Sequence, residues 1–391
     1  MTDFLDRKHF PAASSDEMKS LEASLNDILK NDYHGSFFVL LGKYQRILAD
    51  NNQKQYWPEI NKKLDTLFKC GSCEVVNGPM IGVPISIRDS DPFKAAAELM
   101  GEDRSVFANV ELLATMWNAT YADTGIWMGK AFEPATRDTL TTLSNNDPQI
   151  TRHFNEATTR IGRNYFRQPP DHSNALQAIG LPALSKLWKL KERPMSPNTT
   201  GFYCELLAEN IEKEKAIPYT QTGGYFLCNF DKSIIPEMHG KDVYQLNYRW
   251  PALSPAYPMT RLVDELVRID KGIYLGQLAY ATRHYSFGNF TLPNKKIISI
   301  GDAYPYLSFF DKIKNFLGFS VSTDHNYYGY QNNGFFIMVD TDYAKEFYAD
   351  DAFPQLRPRP GEIGFHELGY DLTTETKPQV QENTETETMP A

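Results

Sequence analysis

Residues 243–250 read VYQLNYRW, and this stretch decides the fold class that the sequence predicts. Its side chains alternate with a period of two, which is typical of a β-strand with two different faces. One face is largely aromatic and carries Tyr244, Leu246, Tyr248 and Trp250. The other face carries Val243, Gln245, Asn247 and Arg249. The aromatic face predicts core, whereas the polar face predicts either a solvated surface or the wall of a cavity.

Further strand-like segments lie on both sides of this stretch. Residues 223–230 (GGYFLCNF) follow a Gly-Gly turn, and residues 273–284, 297–300 and 335–340 are also rich in β-forming residues. The segments are separated by about 20–40 residues, which is longer than the connections of a simple meander. They predict a β-rich C-terminal half with a mostly antiparallel sheet that could close into a barrel.

The N-terminal half has helical periodicity instead. Ser14 and Glu17 form a capping-box pattern ahead of apolar residues at helical spacing, and residues 37–49 and 60–68 continue the pattern. The fold class is therefore α+β, with a helical N-terminal half packed on a β-rich half. We expect a mainly helical region 1–195, a β-rich region 196–370 with helices and a ligand cavity, and a disordered acidic tail 371–391, which is almost free of large apolar residues.

Composition excludes several classes of protein. The chain has 391 residues with 49 acidic and 40 basic side chains, so its net charge of −9 argues against a nucleic-acid-binding surface. No apolar run of about 18 residues predicts a transmembrane segment. The N-terminal residues lack the apolar core of a signal peptide, and four cysteines make no disulfide framework. These features predict a cytoplasmic protein.

No nucleotide-binding, dinucleotide-binding, serine-hydrolase or zinc-protease motif occurs in the chain. Cys70 and Cys73 form a C-x-x-C pair, but the pair follows a predicted helix, whose C-terminal dipole disfavours a thiolate. We therefore expect two ordinary cysteines and no metal site. The sequence identifies no cofactor, and it leaves haem, flavin and oligomeric state open.

Three histidines of the β-rich half stand beside polar or charged residues, as a general acid or base must. These acid–base candidates are His239, His284 and His325. The predicted ligand contacts are the polar groups of the strand and of nearby segments: Gln245, Asn247, Arg249, Arg283 and Tyr327. Arginines suit an anionic group, and tyrosine suits an aromatic ligand.

Together these residues predict a soluble enzyme that acts on a small, largely apolar or aromatic molecule in a cavity of the β-rich half. A carrier of a lipophilic small molecule would use the same cavity without catalysis. A protein-interaction module would instead use the tail and the aromatic loop. The amphipathic residues 304–317 also allow a weak membrane-surface contact.

Overall fold

The structure is a computed structural model. It describes residues 4–11, 14–86, 126–143, 154–167, 181–193 without 183 and 187, 210, 213, 214, 217, 219–248 without 239, 262–280, 285–287, 319–321 and 331–344. No helix in this described part of the chain is both long and apolar enough to span a membrane.

Three of the described helices form a layer at the N-terminus: α1 (Ser15–Asn31), α2 (Phe37–Ala49) and α3 (Trp57–Cys70). The Ser14 side chain accepts a hydrogen bond from the Glu17 N–H at 3.3 Å, which confirms the predicted cap. The described residues also include a shorter helix, α4 (Arg137–Leu143), and 3₁₀ turns at Arg7–His9, Asn51–Tyr56 and Pro236–Met238.

The strands run through the rest of the described chain. They are β1 (Gly78–Ser86), β2 (Trp127–Pro134), β3 (Arg160–Phe166), β4 (Lys191–Glu192), β5 (Gln221–Lys232), β6 (Asp242–Asn247), β7 (Leu262–Asp270), β8 (Ile273–Tyr280), β9 (Tyr285–Phe287), β10 (Phe319–Val321) and β11 (Gln331–Asp340). All observed pairings are antiparallel. Strands β9 and β10 form a separate pair.

Eight of the described strands close into a barrel. Their order is β3-β2-β1-β11-β8-β7-β6-β5, and β5 pairs again with β3 to complete the ring. The short β4 lies beside the first residues of β5. Consecutive barrel strands are neighbours, so the barrel is an up-and-down meander with long insertions. This confirms the α+β, barrel-like prediction and corrects our expectation that long connections exclude a meander.

Side chains on the two faces of the barrel wall belong to different clusters. The outer face, with Val243, Val267, Leu275 and Ile337, packs against Phe68 and the rest of the helical layer. The interior is aromatic and aliphatic, and it contains Met80, Trp127, Phe132, Phe226, Tyr244, Leu246, Tyr248, Leu266, Phe336 and Met338. An eight-stranded barrel is just wide enough for such side chains or for one small ligand among them.

Glycines in the wall make room for the interior rings. Gly276 pairs directly with Phe336, and a Cβ at Gly276 would lie 2.3 Å from that ring. Gly162 pairs with Phe226, and a Cβ there would lie 2.2 Å from the ring. Each ring therefore lies over the backbone of the neighbouring strand, in space that any larger residue would occupy.

The two ends of the barrel differ in their connections. One end of the barrel is here named the insertion end. Four strands end there, namely β1, β3, β6 and β8, and four begin there, namely β2, β5, β7 and β11. The registers of the strand pairs require this arrangement. The connections leaving it span residues 87–126, 167–220, 248–261 and 281–330. The opposite end, the turn end, has the connections 135–159, 233–241 and 271–272, so the three longest connections of the barrel all leave the insertion end. Long connections at one end of a barrel are common carriers of function.

Some predicted elements differ from the observed ones. Helices α1 to α3 and strands β5, β6, β8 and β11 were predicted, whereas residues 157–161, expected in a helix, run into strand β3. The predicted strand 297–300, the predicted helix 301–318 and the tail 371–391 lie outside the described residues. The division at residue 195 stays a prediction, although β1, β3 and β4 precede it and pair with strands that follow it.

Candidate functional site

A lysine lies inside the barrel, on β2. The Lys130 ammonium donates to Asn164 Oδ1 at 2.7 Å and to Tyr248 Oη at 2.6 Å, and it lies 3.0 Å from Asp264 Oδ2. Three acceptors match the three protons of an ammonium group. The strands β2, β3 and β7 and the residue following β6 therefore each supply one member of this Lys130 cluster.

Hydrogen bonds among its members orient the cluster. The Tyr248 hydroxyl donates to Asp264 Oδ2 at 2.6 Å while it accepts from Lys130. The Asn164 amide donates to the Gly224 carbonyl at 2.7 Å, so its oxygen is turned toward Lys130. The Trp127 indole N–H donates to the same Asn164 oxygen at 3.0 Å. The acceptors around the amine are thus held in place before any ligand arrives.

Aromatic rings surround the amine. Its nitrogen lies 5.2 Å from the ring centres of Trp127 and Phe226, 5.4 Å from that of Tyr248 and 5.6 Å from that of Phe336. Cation–π attraction favours an ammonium in such a cage, and the rings exclude water from it. A ligand beside Lys130 would therefore meet flat apolar surfaces.

Burial strongly disfavours the charges in this cluster. It lowers the pKa of Lys130 from its usual value, whereas the Asp264 carboxylate acts in the opposite direction. Asp264 Oδ1 has no hydrogen-bond partner among the described residues, although the side chain is 98% buried. Because buried ion pairs seldom add net stability, this pair and its unsatisfied oxygen point to a functional role.

The Lys130 cluster lies close to the insertion end. Trp127 is the first residue of β2, Phe166 the last of β3, and Leu262 the first of β7. Three residues of strand, or about 10 Å, separate Lys130 from the start of β2. Leu181, Leu184 and Trp188 pack on the interior residues at this end, where the Trp188 and Phe166 ring centres are 5.7 Å apart.

The predicted contacts Gln245 and Asn247 have a different position. Both are buried, so the polar face of the strand is not a solvated surface. They share the outer face with Val243, while Tyr244 and Tyr248 point into the barrel. Because barrel strands are covered on both sides, the aromatic face and not the polar face lines the interior. Gln245 and Asn247 therefore lie on the opposite face of the barrel wall from the Lys130 cluster.

The other predicted site residues lie outside the described residues. Arg249 follows β6, Arg283 and His284 follow β8, and His325 and Tyr327 precede β11. In the sequence, all five belong to segments that connect strands at the insertion end. His239 also lies outside the described residues, but its connection 233–241 joins β5 and β6 at the turn end.

A second buried polar cluster lies on the outer wall. Glu265 pairs with Gln245 and Gln277 across the sheet, and its carboxylate accepts from Ser233 Oγ at 2.7 Å, the Ile234 N–H at 2.7 Å and Gln277 Nε2 at 2.6 Å. Burial raises the pKa of Glu265 to about 7 in spite of these donors. The donors tie the connection after β5 to the wall, which indicates a structural role.

Cys70 and Cys73 behave as ordinary thiols. Burial raises the pKa of Cys70 to about 11 and that of Cys73 to about 12, so neither forms a ready thiolate. The nearby Lys241 amine is also buried, and it donates to the carbonyl oxygens of His9 and Gly71. Within the described part of the chain, no group of three or more His, Cys, Asp or Glu side chains could hold a metal ion.

Sequence reasoning missed Lys130 and Asp264. The available signal was weak: Lys130 stands within the otherwise apolar run 126–132, and Asp264 within the strand-like run 262–269. A lone charge in such a run is normally a solvated position. Only the pairing of β2 with distant strands brings the two charges together.

Comparison with known proteins adds no assignment. No family model matches the chain, and neither a curated protein nor a solved structure is detectably similar to it. The candidate site therefore depends on its own geometry: a buried, oriented lysine cluster in an aromatic barrel, below the end that carries the long insertions.

Proposed function

We propose that the protein binds and acts on a small, largely apolar or aromatic molecule at the insertion end of the barrel. The Lys130 cluster carries this proposal because it places an oriented amine, a carboxylate and a phenol among aromatic rings. Ligand sites typically combine an apolar lining with a few convergent polar groups of this kind. The closed barrel is compatible with ligand binding.

Residues of the insertions complete the proposed site. Arg249 and Arg283 would hold an anionic group of the ligand, with Tyr327 as an aromatic contact and His284 or His325 as the acid or base. Strands β6 and β8 are both antiparallel to β7, so their C-terminal ends lie at the same end of the barrel. This shared direction supports convergence of the two arginines. Gln245, Asn247 and His239 are left out of this site.

Naphthoate, a small aromatic carboxylate, tests the proposed binding site. We expect Arg249→Met and Arg283→Met each to weaken naphthoate binding by about 1.5–3 kcal/mol, roughly 10- to 100-fold in Kd, the scale of a charge-assisted hydrogen bond. Isothermal titration calorimetry measures the change. Lys271→Met is the matched control, because it removes a positive charge from the turn end and should leave Kd unchanged. Failure of the native protein to bind both naphthoate and its neutral analogue naphthalenemethanol would contradict the proposal.

His284→Gln distinguishes an enzyme from a carrier. An enzyme that uses this imidazole should lose about 10²–10⁴ in rate on a compound that it converts, with little change in binding. A carrier should keep its affinity for naphthoate within a few-fold and show no turnover to lose. Calorimetry and turnover assays on the same preparation separate the two outcomes.

A further inference from the structure

Lys130 has the surroundings of a reactive amine as well as those of a binding group. Its nitrogen contacts a carboxylate at 3.0 Å and a phenol at 2.6 Å, and the phenol donates to the same carboxylate. Burial among four rings disfavours the charged form of the amine. Desolvated lysines beside proton-transfer groups are suited to attack on a carbonyl carbon.

We propose that Lys130 forms a Schiff base with a small aromatic aldehyde or ketone that enters the barrel from the insertion end. The inference rests on the proposed function, because the carbonyl compound has to bind there first. It adds the chemical class of the ligand and the bond that the protein makes to it.

The reaction balances without an external reactant. Asp264 accepts a proton from the Lys130 ammonium, and the neutral amine attacks the carbonyl carbon, so that a C–N bond forms while the C–O π bond breaks. The carbonyl oxygen takes up protons and leaves as water when the remaining C–O bond breaks. An ammonium and a carbonyl compound thus give a protonated imine and one water, with no change in net charge and no oxidation.

Each neighbour of Lys130 has a defined part in these steps. The Tyr248 hydroxyl contacts both the amine and Asp264, so it can pass protons between the carboxylate and the departing oxygen. Asp264 then remains as the counter-ion of the protonated imine, and its Oδ1 is available to accept a hydrogen bond from the departing oxygen. Asn164 holds the nitrogen in place, since its own amide is bonded to Gly224.

The buried Lys241 and the half-buried Lys63 lack this combination. Lys241 has a pKa lowered to about 8 by burial, but it donates hydrogen bonds to the backbone carbonyl oxygens of His9 and Gly71, which cannot accept its proton. Lys63 contacts Asp32, which also accepts from Tyr44, yet this trio lies in the helical layer outside the barrel. Lys63, Asp32 and Tyr44 therefore provide a chemically matched control.

Reductive trapping of naphthaldehyde tests the inference on the native chain. The full-length protein is incubated with naphthaldehyde and sodium borohydride, and the reduced adduct is located by peptide mass spectrometry. We expect the adduct at Lys130 in preference to Lys63, Lys241 and exposed lysines, and we expect Lys130→Arg to abolish it. If Lys130→Arg fails to fold, the position of the adduct in the native protein is sufficient by itself to test the inference.

Variants of the proton path test the mechanism. Tyr248→Phe should slow adduct formation at Lys130 about 10²-fold, the scale of lost acid–base assistance. Tyr44→Phe removes the corresponding phenol from the Lys63 trio and should leave the rate at Lys130 unchanged. Equal rates for the native protein and Tyr248→Phe would overturn the role given to Tyr248.

Calorimetry with naphthoate and with naphthalenemethanol separates failure of the inference from failure of the proposed function. If either compound binds but naphthaldehyde gives no adduct at Lys130, the Schiff base is overturned and the binding site stands. If neither binds and naphthaldehyde marks only exposed lysines, both proposals are overturned.

Discussion

At the scale of single residues, the main feature is that charged groups are buried on both sides of one sheet wall. Asp264 and Glu265 are consecutive residues of β7, yet they point to opposite faces, since successive side chains of a strand alternate. Asp264 meets Lys130 inside the barrel, whereas Glu265 meets only neutral donors outside it. Two neighbouring carboxyl groups thus lie in different surroundings, one beside a lysine amine and the other among neutral donors.

Glu265 should make stability depend on pH. Its pKa is about 7 in the folded protein against 4.5 for an exposed glutamate, so the folded state binds the proton more tightly. The free energy of unfolding should therefore fall as pH rises from about 5 to about 8, by on the order of 3 kcal/mol from this group. Chemical denaturation at several pH values measures it.

The Glu265→Gln variant isolates this contribution. Its free energy of unfolding should vary less over the same pH range than that of the native protein, because no carboxyl group remains to lose a proton. Glu237→Gln changes an exposed glutamate of the connection after β5 and should keep the native slope. If the free energy of unfolding varied with pH in the same way for the native protein and Glu265→Gln, Glu265 would be ionised throughout this pH range, against the prediction.

At the scale of elements, the hydrophobic pattern predicts the helices better than the strands. Helices α1 and α3 have one buried stripe and one wet face, so their period is visible in the sequence. All seven residues of β3 are buried, as are the first seven of β2, so neither strand shows an alternation between apolar and polar residues. Lys130 and Asn164 therefore resemble surface residues when only the sequence is considered.

The glycines of the wall give a test of element packing. Gly276→Ala should lower the free energy of unfolding by about 1–3 kcal/mol, because the new methyl group meets the Phe336 ring at 2.3 Å. Gly42→Ala is the control: nothing lies within 4 Å of its Cβ in helix α2, so it should be neutral or stabilising by up to about 1 kcal/mol. Urea denaturation measures both variants, and native stability of Gly276→Ala would contradict the close packing.

At the scale of the whole molecule, closure of the barrel joins distant parts of the chain. Strand β1 pairs with β11, and β3 pairs with β5 across the insertion 167–220. Pairing between segments that are far apart in the sequence leaves no local signal in either segment. The neighbour of each strand depends on how the whole ring closes. Closure also removes the exposed edges that an open sheet of this size would have.

The acidic tail should be dispensable for this assembly. Residues 371–391 lack the apolar side chains needed to offset the entropy of ordering them. Truncation after Tyr370 should therefore leave the thermal midpoint within about 2 °C of the native value in a calorimetric scan. A larger decrease would show that the tail docks on the folded body.

The sequence by itself determined the α+β class, the helices of the N-terminal layer and four of the barrel strands, because these depend on local period and capping. Tertiary structure alone decided which face of residues 243–248 points inward and which charges meet. Tyr248 is buried in the interior and Gln245 is buried on the outer face, because a closed, helix-covered barrel buries both faces of a strand, so polarity no longer marks the outside. The Lys130–Asp264 pair depends on strands more than a hundred residues apart in the sequence, and only closure of the ring places them 3.0 Å from each other.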